Sequence, residues 1–155
     1  MVGPEAPLAE GIVDHFQNLG IAIFGPTEAA SQIESSKVFA KELMQKYNIP
    51  CARSTSFSEY TKAKEYIQQQ TPPIVVKADG LAAGKGVTVA DSTPQALDAL
   101  ANIMEAKAFG AAGDKVVIEE RLSGKEMSCF AFTDGKTVIP MVSACDYKPV
   151  YGGDR

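Results

Sequence analysis

The chain has 155 residues, of which 45% are hydrophobic and 22% charged, and a formal net charge of −4; this composition is typical of a soluble globular protein with one ordinary domain or parts of two. Nucleic acid is disfavoured as a partner, because binding to a phosphate backbone uses clustered Lys and Arg. A membrane span is disfavoured too, since no apolar run approaches the ~18 residues that are needed to cross a bilayer.

The first third of the chain predicts three helices and one short strand, an arrangement of α/β type. Gly20 is the expected residue just beyond the first helix, and Pro50 is expected to end the third. The predicted elements are a helix over residues 8–19, a buried strand over 21–24, a helix that Thr27 caps and that runs through Ile33, and a helix whose apolar stripe is Phe39, Leu43 and Tyr47.

The middle of the chain predicts an α+β unit with the order helix, strand, glycine loop, strand, helix, strand. Its first helix, over 57–70, is expected from a capping box in which Ser56 is the N-cap and Glu59 the third helical residue. The later elements are strands over 74–78 and 87–90, a helix with Thr93 as N-cap and Pro94 at its first position, a strand over 115–120, and a hairpin that turns at Asp134-Gly135.

Cysteine and histidine usage argues against a disulfide framework and against a zinc site. The three cysteines, Cys51, Cys129 and Cys145, include no C-x-x-C pair, and His15 is the single histidine. A Ser/His/Asp triad or a multi-histidine metal site is hard to assemble from one histidine. We therefore expect a cytoplasmic protein, because free thiols persist in a reducing compartment.

The segment VKADGLAAGKGVTVA, Val76 to Ala90, combines glycines and a lysine as phosphate-binding loops do. It does not fit the Walker pattern G-x-x-x-x-G-K-[ST], since three residues separate Gly80 from Gly84 and Gly86 stands in place of Ser or Thr. It does not fit G-x-G-x-x-G either, and the β-branched run that follows predicts a strand rather than a helix. We therefore predict a hairpin tip that closes over phosphates.

A triphosphate needs cations and backbone N–H groups at short range, because it carries about four negative charges. Lys77 supplies one cation from the predicted strand, on the same face as Val75 and Asp79. The tip, Gly84-Lys85-Gly86, would be the part that moves. The alternative is an ordinary edge-strand lysine beside a flexible hairpin.

The segment VVIEERLSGKE, Val116 to Glu126, is typical of a connection between two subdomains that reads adenine. Backbone groups of Glu119 and Arg121 would contact the edge of the base, and Leu122 would lie against its face. Glu126 would accept hydrogen bonds from the ribose hydroxyls. Each carboxylate alone could equally be a solvated surface group.

The chain resembles the phosphoribosylamine-glycine ligases, also called glycinamide ribonucleotide synthetases, which are ATP-grasp enzymes of purine biosynthesis. The shared motifs, in order, are VGPEAPLAEGIVD, IFGPTEAASQIESSK, IVVKADGLAAGKGV, VVIEERLSGKE and SACDYKP. The resemblance implies a partial ATP-grasp fold, of α/β and α+β class. Its implied divisions are the end of an amino-terminal α/β domain at 1–33, the first part of a central subdomain at 34–54, a lid subdomain at 55–121, and a continuation of the central subdomain at 122–155.

The same resemblance implies roles for individual residues. Lys37 and Lys77 would bind the phosphates of ATP, although family members often have Gly where this chain has Ser35. The remaining implied contacts are Gly84, Lys85 and Gly86 over the phosphates, Glu119, Glu120, Arg121 and Leu122 at the adenine, Glu126 at the ribose, and Asp146 and Lys148 on the substrate side.

The implied reaction joins glycine to 5-phosphoribosylamine through a glycyl phosphate, with ATP and Mg²⁺ or Mn²⁺, whose ligands are expected beyond residue 155. The implied partners are these small molecules and other domains of the same polypeptide, so we expect a fragment that is inactive alone. Two alternatives remain: a non-catalytic nucleotide-binding module or remnant, and another ATP-grasp carboxylate-amine ligase.

Overall fold

The computed structural model describes residues 1–82 and 84–145. The contacts divide the chain into two compact units, Met1–Arg121 and Leu122–Arg155. The predicted substrate-side residues Asp146 and Lys148 lie outside the described residues.

Four helices open the first unit: α1 (Glu5–Ala9), α2 (Ile12–Asn18), α3 (Glu28–Ser35) and α4 (Lys37–Lys46). The single helix predicted over 8–19 is wrong, because Gly11 adopts φ 77° and separates α1 from α2. Gly20 has φ 70°, as expected just after a helix. The strand predicted over 21–24 is also wrong. One backbone hydrogen bond joins Val2 N to Phe24 O at 3.2 Å, and a strand needs a ladder of such bonds.

Two of the predicted helix caps differ from the structure. Ser56 lies in a strand, β1 (Ser54–Phe57), opposite Val117, so the predicted capping box is wrong and the next helix, α5 (Tyr60–Gln69), begins later. Sheet pairing has overridden a local capping signal. The helix α6 (Thr93–Met104) is capped by Ser92 rather than by Thr93, through a hydrogen bond from Gln95 N to Ser92 Oγ at 3.5 Å.

A four-stranded antiparallel sheet forms the centre of the first unit. Three predicted strands are confirmed as β2 (Ile74–Ala78), β3 (Val87–Ala90) and β4 (Val116–Glu120). The sheet order is β1-β4-β2-β3, and β2 pairs with β3 as the predicted hairpin, with Lys77 opposite Val87. The sequence did not predict the edge strand β1, which pairs with β4, so β4 lies between β1 and β2.

The two faces of this sheet have different roles. One face is buried against α5 and α6, where Ile67 and Leu100 are fully buried. The strand residues on that face are Ile74, Val76, Ala78, Ala90, Val116 and Ile118. Because successive side chains alternate, Val75, Lys77, Val117 and Glu119 lie on the opposite face. Lys77 and Glu119 therefore lie on the side of the sheet that faces away from α5 and α6.

The described part of the second unit contains a hairpin of β5 (Ala131–Thr133) and β6 (Val138–Pro140). It turns at Asp134-Gly135 as predicted. Asp134 Oδ1 accepts hydrogen bonds from Lys136 N and Thr137 N at 2.9 and 2.7 Å, and these bonds hold the Asp134 pKa below its usual value. Within residues 1–82 and 84–145, no helix is long and apolar enough to cross a membrane.

Candidate functional site

A cavity of about 440 Å³ opens within the first unit. It lies between α4, the face of β2 and β4 opposite to α5 and α6, and the glycine loop that follows β2. Glu5 and Glu34 line its solvent-exposed rim. The residues on which its chemistry depends are Lys37, Lys41, Lys77, Gly84, Gly86 and Glu119.

A buried carboxylate binds two ammonium groups in this cavity. Glu119 is 5% exposed, and its Oε2 accepts from Lys77 Nζ at 2.9 Å. Its other oxygen, Oε1, lies 3.2 Å from Lys41 Nζ. Lys77 and Glu119 come from adjacent strands at diagonal positions, which long side chains can span. The carboxylate therefore holds two cations at the cavity wall.

Lys37 contributes a third ammonium group from the first turn of α4. Its Nζ donates to Asp79 O at 3.3 Å and to Gly80 O at 3.0 Å, at the beginning of the glycine loop. Burial lowers the Lys37 pKa below its usual value, and the attraction of Asp79 partly opposes this. The sequence-predicted phosphate ligands Lys37 and Lys77 thus line one cavity.

The glycine loop leaves little room beside Gly86. A Cβ at Gly86 would lie 2.6 Å from the Cβ of Ala82 and 3.2 Å from that of Ala78. Gly86 O also accepts from Ala78 N at 2.8 Å. Gly84, by contrast, has φ 74° and open space around it. Lys85 is exposed and donates its backbone N–H to Ala82 O at 2.8 Å.

We expect Gly86→Ala to weaken the binding of inorganic triphosphate by about tenfold, because the new methyl group would displace the loop that lines the cavity. The measurement is a triphosphate titration followed by thermal unfolding. Gly3→Ala is the matched control, since a Cβ at Gly3 meets nothing within 4 Å. Equal triphosphate affinities in the two variants would contradict this account of the loop.

The other predicted nucleotide ligands lie elsewhere among the described residues. Glu120 lines a second cavity of about 430 Å³ and accepts from Arg53 N at 2.8 Å and Arg53 Nε at 2.9 Å. These bonds hold the Glu120 pKa below its usual value. Arg121 forms an ion pair with Asp91 at 3.0 Å. Leu122 is 66% exposed, and Glu126 is exposed in the second unit.

Sequence reasoning missed Lys41, which lines the cavity, and two residues beside the cavity, Ser36 and Asp79. Lys41 lies one helical turn after Lys37, so the i, i+4 spacing in α4 could have indicated it. Ser36 and Asp79 hydrogen-bond each other across 43 residues of sequence, at 3.1 Å. No local pattern indicates that contact.

Among the residues that the structure describes, no group of three or more His, Cys, Asp or Glu side chains could hold a metal ion. Glu119, the buried carboxylate of the cavity, already binds two ammonium groups. The described donor set therefore does not fit a divalent metal.

Two family models match the chain. The phosphoribosylglycinamide synthetase ATP-grasp (A) domain matches residues 35–155, and the phosphoribosylglycinamide synthetase N domain matches residues 1–34. Phosphoribosylamine--glycine ligase of Halalkalibacterium halodurans is 51% identical over 99% of this chain and 36% of its own length. The human trifunctional purine biosynthetic protein adenosine-3 is 54% identical over 99% of this chain and 15% of its own length. The chain thus spans 36% or less of these two relatives.

Two solved structures share the fold of this chain. Phosphoribosylamine--glycine ligase of Thermotoga maritima superposes with a TM-score of 0.78 and 36% identity, covering 85% of this chain and 34% of that one. D-alanyl-alanine synthetase A of Vibrio cholerae superposes with a TM-score of 0.70 and 20% identity, covering 89% and 41%. These likenesses, with the family match, confirm the predicted partial ATP-grasp fold.

Proposed function

Because the chain belongs to the phosphoribosylglycinamide synthetase family, we propose that the cavity of its first unit binds the triphosphate of ATP. Three lysines line the cavity interior beside one buried carboxylate. This cluster of Lys37, Lys41 and Lys77 is the observation on which the proposal rests. A polyanion would pair with the lysine ammonium groups, which Glu119 alone does not neutralise, and a glycine loop can approach it closely.

We propose that the adenosine lies along the carboxyl end of β4. Strand pairing ends at Glu120, so the backbone of Arg121 and Leu122 lies outside the ladder and is available to a base edge. The roles of Leu122 at the face of the base and of Glu126 at the ribose hydroxyls stay predictions from the sequence. The bonds between Arg53 and Glu120 would keep the Glu120 carboxylate turned toward β1.

We propose that the whole protein uses this site in a two-step ligation. A carboxylate oxygen of glycine attacks the γ-phosphorus of ATP, the bond to ADP breaks, and a glycyl phosphate forms. The amine of 5-phosphoribosylamine then attacks the carbonyl carbon, phosphate leaves, and the amine proton is lost to give the amide. Lys37 and Lys77 would stabilise the charge on the phosphoryl oxygens.

Other parts of the proposal concern residues and conditions outside the cavity. Asp146 and Lys148 would contribute to the substrate side. Mg²⁺ or Mn²⁺ would be held by ligands other than the described residues. The cytoplasm is the proposed location, and other domains of the same polypeptide are the proposed partners, with the subdomain boundaries predicted above.

The test is Lys77→Met, which should weaken ATP binding by at least about tenfold, equivalent to about 1.4 kcal/mol less stabilisation at saturating ATP. Differential scanning fluorimetry at increasing ATP concentrations measures the ATP affinity of the Lys77→Met chain and of the wild-type chain. Lys64→Met, on the exposed surface of α5, is the matched control and should leave ATP binding unchanged.

Equal ATP stabilisation of the Lys77→Met and wild-type chains would disprove the triphosphate site. The proposed ligase activity is tested separately, by measuring phosphate release from the whole protein with ATP, glycine and 5-phosphoribosylamine. ATP binding without any phosphate release there would favour the non-catalytic nucleotide-binding module.

A further inference from the structure

The side chain of Asp79 joins the end of β2 to the first turn of α4. Asp79 Oδ1 accepts from Val38 N at 2.8 Å and from Ser36 Oγ at 3.1 Å. Ser36 Oγ in turn accepts from Phe39 N at 3.1 Å. The first N–H groups of a helix have no partner within it, so the carboxylate of a residue just after a distant strand satisfies one of them here.

The backbone of the same segment binds Lys37. Asp79 O accepts from Lys37 N at 3.1 Å and from Lys37 Nζ at 3.3 Å, and Gly80 O accepts from Lys37 Nζ at 3.0 Å. The next residues, Leu81 and Ala82, line the cavity. The start of the glycine loop and the ammonium of Lys37 are therefore fixed to each other.

The segment is fixed from its other side as well. Asp79 N donates to Lys115 O at 3.1 Å, and Gly80 N donates to Ala112 O at 3.3 Å. A Cβ at Gly80 would lie 2.8 Å from the Cβ of Ala112, so the two chains are in close contact. Residues 79 and 80 are thus held between α4 and the loop before β4.

We propose that Asp79 is a positioning residue for the phosphate site, which it serves by fixing Lys37 at the beginning of the glycine loop. This proposal rests on the proposed binding of ATP in the cavity. Asp79 is separate from the six cavity residues considered above, and a carboxylate in contact with a polyphosphate would repel it. Its effect on phosphate binding therefore acts through the position of Lys37, and adenosine, which lacks phosphates, should be insensitive to it.

The test measures the dissociation constants of ATP and of adenosine for the 155-residue chain and its variants, by calorimetry for ATP and by ligand-detected NMR for adenosine. Asp79→Ala should weaken ATP binding by about tenfold and adenosine binding by less than about twofold. Asp79→Asn keeps an acceptor for Val38 N and should restore most of the ATP affinity. Asp98→Ala, on the exposed side of α6, should change neither constant.

A double-variant cycle separates positioning from a general structural effect. In a Lys37→Met background, Asp79→Ala should have little further effect on ATP affinity, because the group it positions is gone. Equal losses for ATP and adenosine, or a full tenfold ATP loss in the Lys37→Met background, would overturn the proposal. A wild-type chain that binds adenosine but shows no preference for ATP would instead overturn the triphosphate site itself, and this proposal with it.

Discussion

Glu119→Gln is expected to lower the free energy of unfolding by about 2–3 kcal/mol and yet to tighten the binding of inorganic triphosphate. The carboxylate is 5% exposed and bonds two ammonium groups, at 2.9 Å to Lys77 and within 3.2 Å of Lys41. An amide removes the charge that both cations face. The loss of stability should be smaller than for a fully buried ion pair, because the side chains of Lys77 and Lys41 remain 25% and 14% exposed.

Removing the Glu119 charge should also tighten the binding of triphosphate, although it lowers the stability. Without the carboxylate, Lys41 and Lys77 would lose the buried negative charge that pairs with them, and the positive charge at the cavity wall would rise. Triphosphate should therefore bind the Glu119→Gln chain at least about threefold more tightly than it binds the wild-type chain. Glu42→Gln, on the exposed side of α4, removes one carboxylate from the same helix and serves as the control.

Urea unfolding with and without triphosphate measures both effects. A Glu119→Gln chain as stable as wild type would show that the two ion pairs contribute nothing measurable. A stability loss together with weaker triphosphate binding would show that Glu119 orders the lysines more than it competes with the anion. Either result would contradict the expected pair of effects.

The sequence predicts much of this site because its signals are local. Lys77 follows a β-branched run directly, so its strand and its face could be assigned from alternation alone. The hairpin partner of that strand follows the glycine loop, which fixes their pairing. The structure confirms both strands and places Lys77 opposite Val87.

What the sequence does not predict depends on contacts between distant residues. Ser56 carries a local capping signal, yet it pairs with Val117 because β4 offers an open edge. The bond from Ser36 to Asp79 spans 43 residues, and no periodicity encodes it. Local patterns thus specified the elements of the site, whereas tertiary contacts determine which of them converge on the cavity.

The second prediction concerns the face of the sheet that packs against α5 and α6. Leu100→Ala should lower the free energy of unfolding by about 2–5 kcal/mol, because Leu100 is fully buried among Ile67, Val76 and Ile118 in the core cluster and its removal leaves a cavity. Leu97→Ala truncates a partly buried residue of the same helix and should cost less. Urea unfolding of both variants measures the difference.

The functional consequence of Leu100→Ala should be small, and this distinguishes the two faces. Lys77 and Glu119 alternate with the core residues of β2 and β4, so their ion pair does not touch the cavity that Leu100→Ala would create. The folded variant should therefore bind ATP within about twofold of the wild-type affinity at a temperature well below its Tm. A tenfold loss of ATP affinity in the folded variant would mean that core packing on one face of the sheet sets the positions of the lysines on the other face.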